Sequence, residues 1–151
     1  MTSSVHYSSD SAEWATPRVF FKRLDAEFNF TLDVCATAAN TTCRRFFAKN
    51  PDPRSAGVGG LVQPWLHEVC FCNPPYGRGV KGPAPWLEKA TRECANGALV
   101  VCLLAARTDT RWFHRLVWPV ADEVRFVEGR LAFNEGGPAP FPSMVVVYRP
   151  R

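Results

Sequence analysis

The spacing of apolar residues along the chain predicts helices and strands that alternate as far as residue 118, followed by strands alone. Near the start, Phe20, Leu24 and Phe28 recur every fourth residue, which predicts an amphipathic helix of about three turns. Thr16-Pro17 predicts where this helix begins, because a hydroxyl residue followed by proline is a favoured helix N-terminus. The segment 30–36 then predicts a buried strand.

The middle of the chain contains two further strand predictions. Residues 69–72 are apolar and lead directly into Asn73, so they predict a strand that ends at a polar side chain. Residues 97–104 form an apolar run after a turn, which is typical of a parallel strand covered on both faces. Two more helices are predicted: one through Trp86, Ala90 and Cys94, and one through 112–117 capped by Asp109 or Thr110.

Two C-terminal strands, at 124–127 and 144–148, complete the predicted fold. The order of elements indicates an α/β sheet with an antiparallel C-terminal edge. Ligands bind such sheets outside the carboxyl ends of the strands, and Asp33, Asn73 and Arg107 all fall near predicted ends. A length of 151 residues predicts one domain, over 13–151, after a loose tail at 1–12 that is rich in Ser and Thr.

Composition and charge add weak constraints on partners. A chain that is 46% hydrophobic and 21% charged is ordinary for a soluble globular protein. The net charge of +4 favours a polyanionic partner without proving one. Five cations fall in predicted loops, where each contacts either a phosphate or solvent: Arg78, Lys81, Arg107, Arg111 and Arg130. For Arg107 and Arg111, structural pairing with Asp109 or Glu123 is the alternative.

No membrane or metal partner is expected. The longest apolar stretch, 98–106, is shorter than the ~20 residues needed to span a bilayer, and the N-terminus has no apolar export signal. We therefore expect a cytoplasmic protein. The six cysteines include no CxxC pair, and His6, His67 and His114 lie at no spacing typical of zinc ligands, so the cysteines are expected to pack as reduced, small apolar residues.

The tetrapeptide Asn73-Pro74-Pro75-Tyr76 carries the candidate chemistry. The Asn73 side-chain carbonyl and the Pro74 main-chain carbonyl are two acceptors that can bind both N–H groups of a planar amine and localise its lone pair. The prolines restrict the backbone and so hold the Pro74 carbonyl in place. Tyr76 can stack on a base, an interaction worth ~1–3 kcal/mol. A simple surface turn is the alternative interpretation, since Asn-Pro and Pro-Pro both favour turns.

With this tetrapeptide, the chain resembles the phage-type DNA N6-adenine methyltransferases, a Dam-like family of S-adenosylmethionine-dependent enzymes. The resemblance runs from about residue 13 to residue 150. The segments that carry it, in order, are Glu13-Trp14-x-Thr16-Pro17, Leu32-Asp33-Val34-Cys35-Ala36, Asn73-Pro74-Pro75-Tyr76-Gly77, Ala106-Arg107-Thr108-Asp109-Thr110-Arg111-Trp112-Phe113 and Pro140-Phe141-Pro142-Ser143.

The resemblance implies a Rossmann-like class I methyltransferase sheet with helices on both faces, S-adenosyl-L-methionine as cofactor and DNA as partner. It implies that Thr16 and Pro17 hold the methionyl carboxylate at a helix N-terminus, and that Asp33 accepts from the ammonium group. Asp33 as a turn or cap residue is the alternative. Ala36 and Asn73 complete the implied cofactor site, and Asn73, Pro74 and Tyr76 bind the flipped adenine.

Two departures from the family keep rival functions open. Ala36-Thr37-Ala38-Ala39-Asn40 stands in place of a glycine-rich cofactor turn, and Gly59 stands where members often carry an acid. The first hypothesis is methyl transfer to N6 of adenine in DNA with modest sequence specificity, read by loops 77–85 and 129–141. The second is a catalytically silent nucleic-acid-binding protein. The third is a methyltransferase on another planar amine: RNA adenine, cytosine N4 or protein glutamine.

Overall fold

The computed structural model describes residues 15–48, 59–133 and 137–151. The predicted tail at 1–12, Glu13-Trp14 of the first motif, residues 49–58 and residues 134–136 of the predicted 129–141 loop lie outside the described residues. The helices and strands, in chain order, are α1 (Arg18–Phe28), β1 (Leu32–Ala36), β2 (Phe46–Ala48), β3 (Val69–Cys72), a 3₁₀ turn (Gly79–Lys81), α2 (Ala84–Ala95), β4 (Leu99–Ala105), a π-helix (Phe113–Val117), β5 (Glu123–Phe126) and β6 (Ser143–Tyr148).

The six strands form one sheet in the order β2-β1-β3-β4-β6-β5. Strands β1 to β4 are parallel, and β6 runs antiparallel to both β4 and β5. The predicted α/β class is therefore confirmed. The predicted antiparallel edge is correct in place but not in detail, because β6 lies between β4 and β5, and β5 forms the edge.

Helices cover both faces of this sheet, since its central strands are apolar on both sides. On β4, Val100, Cys102 and Leu104 pack in the same core as α2 and the π-helix. The alternate residues Val101 and Leu103 pack in a second core with α1. The alternation along one strand thus fixes which helix covers which face.

The start of α1 differs from its prediction. Pro17 occupies the N-cap position and makes no side-chain capping bond, so Thr16 is not the cap. The buried stripe also differs in part: Leu24 is buried as predicted, but Phe21 is buried in place of Phe20, and Phe20 and Phe28 are half-buried. Phe21 packs edge-on against Phe71 of β3 at 5.1 Å between ring centroids, and this contact sets the rotation of the helix.

Two other elements refine the sequence predictions. Strand β2 has no counterpart among the predicted elements. It pairs in parallel with β1, and the connection between the two strands, 37–45, is shorter than the dozen or so residues usual between parallel strands. The helix predicted at 112–117 is a π-helix over Phe113–Val117, in which Trp118 N donates to Phe113 O at 2.8 Å. Thr110, and not Asp109, accepts from Phe113 N, at 3.3 Å.

Within the described part of the chain, no helix is both long and apolar enough to cross a membrane. The same residues contain no cluster of three or more His, Cys, Asp or Glu side chains placed to hold a metal ion. Among the described residues, Cys43, Cys70, Cys72, Cys94 and Cys102 form no disulfide.

Candidate active site

The tetrapeptide leaves the sheet at the carboxyl end of β3, where Cys72 is aligned with Cys102 of β4. Pro74 is buried and Asn73 is half-buried. The Asn73 Nδ2 donates a hydrogen bond to Thr16 Oγ1 at 3.0 Å. Thr16 thus uses its hydroxyl to orient the Asn73 amide instead of capping α1, and it ties the tetrapeptide to the segment before that helix.

Tyr76 is anchored at both its hydroxyl and its ring. The hydroxyl donates to Leu103 O at 3.1 Å, and the ring edges pack against Phe133 and Phe141 at centroid distances of 6.0 and 5.2 Å. The ring is half-buried, whereas burial of the hydroxyl raises the pKa of Tyr76 well above its usual range. The phenol therefore stays neutral and is unsuited to act as a base.

Arg107 joins Tyr76 at the end of β4. Its guanidinium lies 5.9 Å from the Phe141 ring centroid. Arg107 and Tyr76 both border a small cavity of about 20 Å³. The other residues that line this cavity are Gly77, Pro83, Leu104, Ala105 and Trp112. The structure thus brings together Tyr76 and Arg107, which the sequence places in separate motifs.

Asp33 holds the connection after β1 in place. Its Oδ2 accepts from Thr42 N at 3.1 Å and Thr42 Oγ1 at 2.8 Å, and its Oδ1 accepts from Cys35 N at 3.2 Å. Burial raises the pKa of Asp33, although the hydrogen bonds from Thr42 and Cys35 oppose that shift. These contacts match the alternative role of Asp33, that of a turn residue. Binding of an ammonium group by Asp33 stays a prediction.

A polar pocket of about 410 Å³ lies between α1 and residues 39–42. Its volume is within the range of small-molecule sites. Residues that line the pocket include Thr16, Arg18, Phe21, Lys22, Asp25, Asn40, Thr41 and Thr42. Because Thr16 also binds Asn73, the pocket adjoins the tetrapeptide. Pro17 borders instead a shallow depression with Ala132 and Phe133, and Ala36 is buried at the end of β1.

Sequence reasoning missed the charged residues of this pocket. Arg18, Lys22 and Asp25 follow one another at helical spacing of four and three residues, which places them on one face of α1. A polar stripe of mixed charge beside the apolar stripe was the signal in the sequence. It pointed to a charged helix face next to the predicted cofactor segment.

Comparison with known proteins identifies the family. A family model described as DNA N-6-adenine-methyltransferase (Dam) matches residues 3–147. A protein of Haemophilus phage HP1 (strain HP1c1), named DNA N-6-adenine-methyltransferase, is 31% identical over 160 residues, which cover 100% of this chain and 86% of that relative. The chain belongs to the DNA N-6-adenine-methyltransferase (Dam) family.

In this Dam-family chain, the position where an acid was expected lies at the far side of β1 from Asn73. Gly59 bridges Ala48 at the end of β2, and the next residue, Gly60, packs against β1. A Cβ on Gly60 would lie 1.8 Å from Val34 O, so only glycine fits there. Trp65 fixes the segment by donating from Nε1 to Gly60 O at 2.8 Å.

The five candidate DNA-contacting cations of this Dam-family chain are all exposed. Within the described residues, none of the five forms an ion pair with a carboxylate. Glu123, considered as a structural partner for Arg107 or Arg111, pairs with Arg125 and Arg149 instead. Arg130 donates from Nη1 to Ala139 O at 3.3 Å, which orders its side chain at the base of the 129–141 loop.

Proposed function

We propose that this chain transfers a methyl group from S-adenosyl-L-methionine to the N6 amine of adenine in DNA, as a cytoplasmic enzyme of a bacterial host that carries the phage gene. Membership of the Dam family supports the reaction. The observation that carries the proposal is the position of Asn73 and Pro74, at the carboxyl edge of the sheet and next to a pocket of ligand size. Both reactants can meet at that junction.

We assign the fold to the Rossmann-like class I methyltransferases. Four parallel strands, an antiparallel β6 inserted beside the edge and helices on both faces support the assignment. In such sheets the ligand lies where neighbouring connections diverge to opposite faces. Here β1 and β3 are neighbours, and Asp33 and Asn73 belong to these two strands and their ends.

The polar pocket fits the amino-acid part of the cofactor. S-adenosylmethionine supplies an electrophilic methyl group on a sulfonium, and its methionyl end carries a carboxylate and an ammonium. Arg18 and Lys22 line the pocket and suit the carboxylate, with Thr16 and Pro17 at the start of α1 beside them. Asp25 lines the same pocket and suits the ammonium, whereas Asp33 is already bound to Thr42 and supports the pocket from behind. Ala36 leaves room at the end of β1.

The chain's own contribution to the chemistry is to orient and polarise the amine. The Asn73 Oδ1 and the Pro74 carbonyl oxygen each accept one N–H of the adenine amine, which localises its lone pair for attack. Because Thr16 holds Nδ2, the direction of Oδ1 is set before the substrate arrives. The amine proton leaves to solvent after transfer, when the nitrogen has become acidic. No general base is required, which agrees with the neutral, buried hydroxyl of Tyr76.

DNA is held, in this proposal, along the carboxyl edge of the sheet. Tyr76 stacks on the flipped base with the accessible part of its ring. The cations Arg78, Lys81, Arg107, Arg111 and Arg130 face phosphates, and loops 77–85 and 129–141 read a short sequence. Exposed cations without carboxylate partners in the described structure support this arrangement, because a pre-formed ion pair would compete with phosphate.

Asn73→Ala tests the proposed chemistry. We expect kcat to fall at least ~100-fold, the loss typical of one oriented polar group that stabilises a transition state. Thr16→Val is the matched control, because it removes the partner of Nδ2 and leaves Oδ1 in place. It should lower kcat by no more than about tenfold, the worth of one hydrogen bond.

The measurement is transfer of labelled methyl from S-adenosylmethionine to duplex DNA, followed by digestion and identification of the nucleoside. RNA, and cell extract as a source of protein glutamine, serve as rival substrates. Label in N6-methyladenine from DNA supports the proposal. Label in cytosine, RNA or protein, or full activity in Asn73→Ala, contradicts it. DNA binding without any transfer by the wild type would establish the silent nucleic-acid-binding alternative.

A further inference from the structure

The loop that follows the tetrapeptide is narrow and stiff. Gly77 and Gly82 approach each other so closely that a Cβ on Gly82 would lie 2.4 Å from Gly77 O. Above this base, Lys81 N donates to Arg78 O at 3.0 Å and Gly82 N donates to Gly79 O at 3.1 Å. Gly79 adopts a φ of 57°, a left-handed conformation that favours glycine. The loop therefore has a closed base and an internally bonded 3₁₀ turn at its tip.

Val80 projects from this tip into solvent. Its side chain is 86% exposed, the highest value among the large apolar residues that the structure describes. It belongs to neither hydrophobic core. A single exposed valine is ordinary on a protein surface, so the exposure of Val80 matters only because of where the residue lies. Val80 stands four residues after Tyr76, on a stiff loop at the edge where the proposed substrate lies.

Two cations flank Val80 on the same turn. Arg78 and Lys81 are both exposed, and neither is paired with a carboxylate within residues 15–48, 59–133 and 137–151. An apolar side chain between two exposed cations matches the surface of a stacked duplex, where an apolar interior lies between two charged backbones. Exposed apolar side chains of this kind insert between base steps in proteins that distort DNA.

We propose that Val80 is a wedge that enters the base stack at the position vacated by the target adenine, while Arg78 and Lys81 hold the flanking phosphates. The inference rests on the proposed function, because only an enzyme that extrudes its base leaves such a gap. The wedge fills the gap and blocks the return of the adenine. It assists extrusion and takes no part in methyl transfer, so Val80 is a positioning residue.

Comparison of duplex and single-stranded substrates tests the role of Val80. Substitution Val80→Ala removes the methyl groups that fill the stack and keeps the loop glycines. We expect kcat/KM on a duplex oligonucleotide to fall about tenfold, the effect of losing the burial of two methyl groups. On the same oligonucleotide as a single strand the change should be less than about twofold, because no paired stack has to be opened. Val80→Ile should retain duplex activity.

Trp118→Ala is the control for loss of an exposed apolar side chain. Trp118 is 69% exposed, but it lies at the opposite end of the sheet. There Tyr148 Oη donates to Leu116 O and Asp122 N donates to Val147 O, both near the end of β6. Trp118→Ala should leave activity unchanged on both substrates. Thermal unfolding of each variant shows whether it is folded.

A fluorescence assay gives an independent readout. With 2-aminopurine at the target position of the duplex, wild-type protein should increase the emission as the base leaves the stack, and Val80→Ala should give a smaller increase. Equal losses of activity on duplex and single strand, or no loss on the duplex, would overturn the wedge alone. Absence of transfer to any DNA by the wild type would overturn the proposed function and the wedge with it.

Discussion

At the scale of single residues, Thr16 shows that a hydroxyl predicted to cap a helix can bind a different partner instead. The Thr-Pro pair predicts a helix cap, yet Thr16 accepts a hydrogen bond from Asn73 and the helix begins without a side-chain cap. Asn73 and Pro74 were identified from the sequence because their signal is local: a polar residue directly after a buried strand. The Thr16–Asn73 contact joins residues 57 apart, and no local pattern reports a contact of that range.

The cysteines offer a prediction at the same scale. Burial raises the pKa of the Cys43 thiol to about 11 and that of Cys94 to about 12, and it also raises the pKa of Cys70 and Cys72. Because the thiolate is the nucleophile, about a thousandth of Cys43 is reactive at pH 8. We expect slow alkylation of native protein by iodoacetamide at pH 8, with the Cys43 rate rising up to about pH 11. Peptide mass spectrometry measures each site.

The direction in which folding stability changes with pH follows from the raised pKa of Cys43. A thiol kept neutral by the fold contributes stability that is fully present below its ordinary pKa and is lost as the pH rises through the folded value, about 11 for Cys43. Cys43→Ser should therefore weaken the alkaline loss of stability. Rapid labelling of any cysteine in folded protein at pH 8 would show that the described burial is wrong.

At the scale of elements, length and burial decided which predictions succeeded. Strands β3, β4 and β6 and helix α2 each match a predicted segment, because each presents an apolar run or a clear helical stripe. Strand β2 is only three residues long, and all three are half-buried, so neither alternation nor a continuous apolar run marks it. In α1 the prediction holds for Leu24 and is wrong for Phe20, because the ring of Phe71, far along the chain, packs against Phe21 instead.

Helix α1 is also the element that links the polar pocket to the far edge of the sheet. Arg125 of β5 binds both carboxylate oxygens of Glu27 at 2.7 Å, and its guanidinium lies 5.5 Å from the ring centroid of Phe28. Arg125 also pairs with Glu123. The last turn of α1 is thus attached to β5, while its first turn borders the pocket.

This attachment predicts that the protein loses stability at acid pH. Hydrogen bonding to Arg125 lowers the pKa of Glu27 and of Glu123. Since the folded pKa values are lowered, the stability from these pairs is present above the usual glutamate pKa, about 4.3, and is lost as the pH falls through the folded values. Arg125→Met should therefore lower the thermal midpoint at pH 7 by more than it does near pH 3.

Arg92→Met is the matched control for the acid experiment. Arg92 is an exposed arginine of α2, and it pairs with no carboxylate among the described residues. Its substitution should change the midpoint little and by the same amount at both pH values. If Arg125→Met lowers the thermal midpoint equally at both pH values, the effect comes from lost packing on Phe28 and not from lost ion pairs.

At the scale of the whole molecule, the proposed site lies at one edge of a single sheet, and we expect this to limit how much DNA sequence the protein can read. The described residues form the sheet and its covering helices, with no second folded unit among them. Direct readout requires side chains that reach base edges in a groove. We expect the connections at 77–85 and 129–141 to supply such side chains at the carboxyl edge, and the first is closed at its base by Gly77 and Gly82.

Two short loops are expected to specify a motif of fewer than about six base pairs, because each good side-chain contact distinguishes about one base. Expression in a host without adenine methylation, followed by sequencing that detects N6-methyladenine, measures the motif. Asn73→Ala provides the background, since it retains both loops and should leave the DNA unmodified. Shortening the 129–141 loop between Phe133 and Phe141 should relax the motif while methylation continues, because the two rings that pack against Tyr76 are retained. A stringent motif of six or more base pairs would require readout by surfaces beyond these loops.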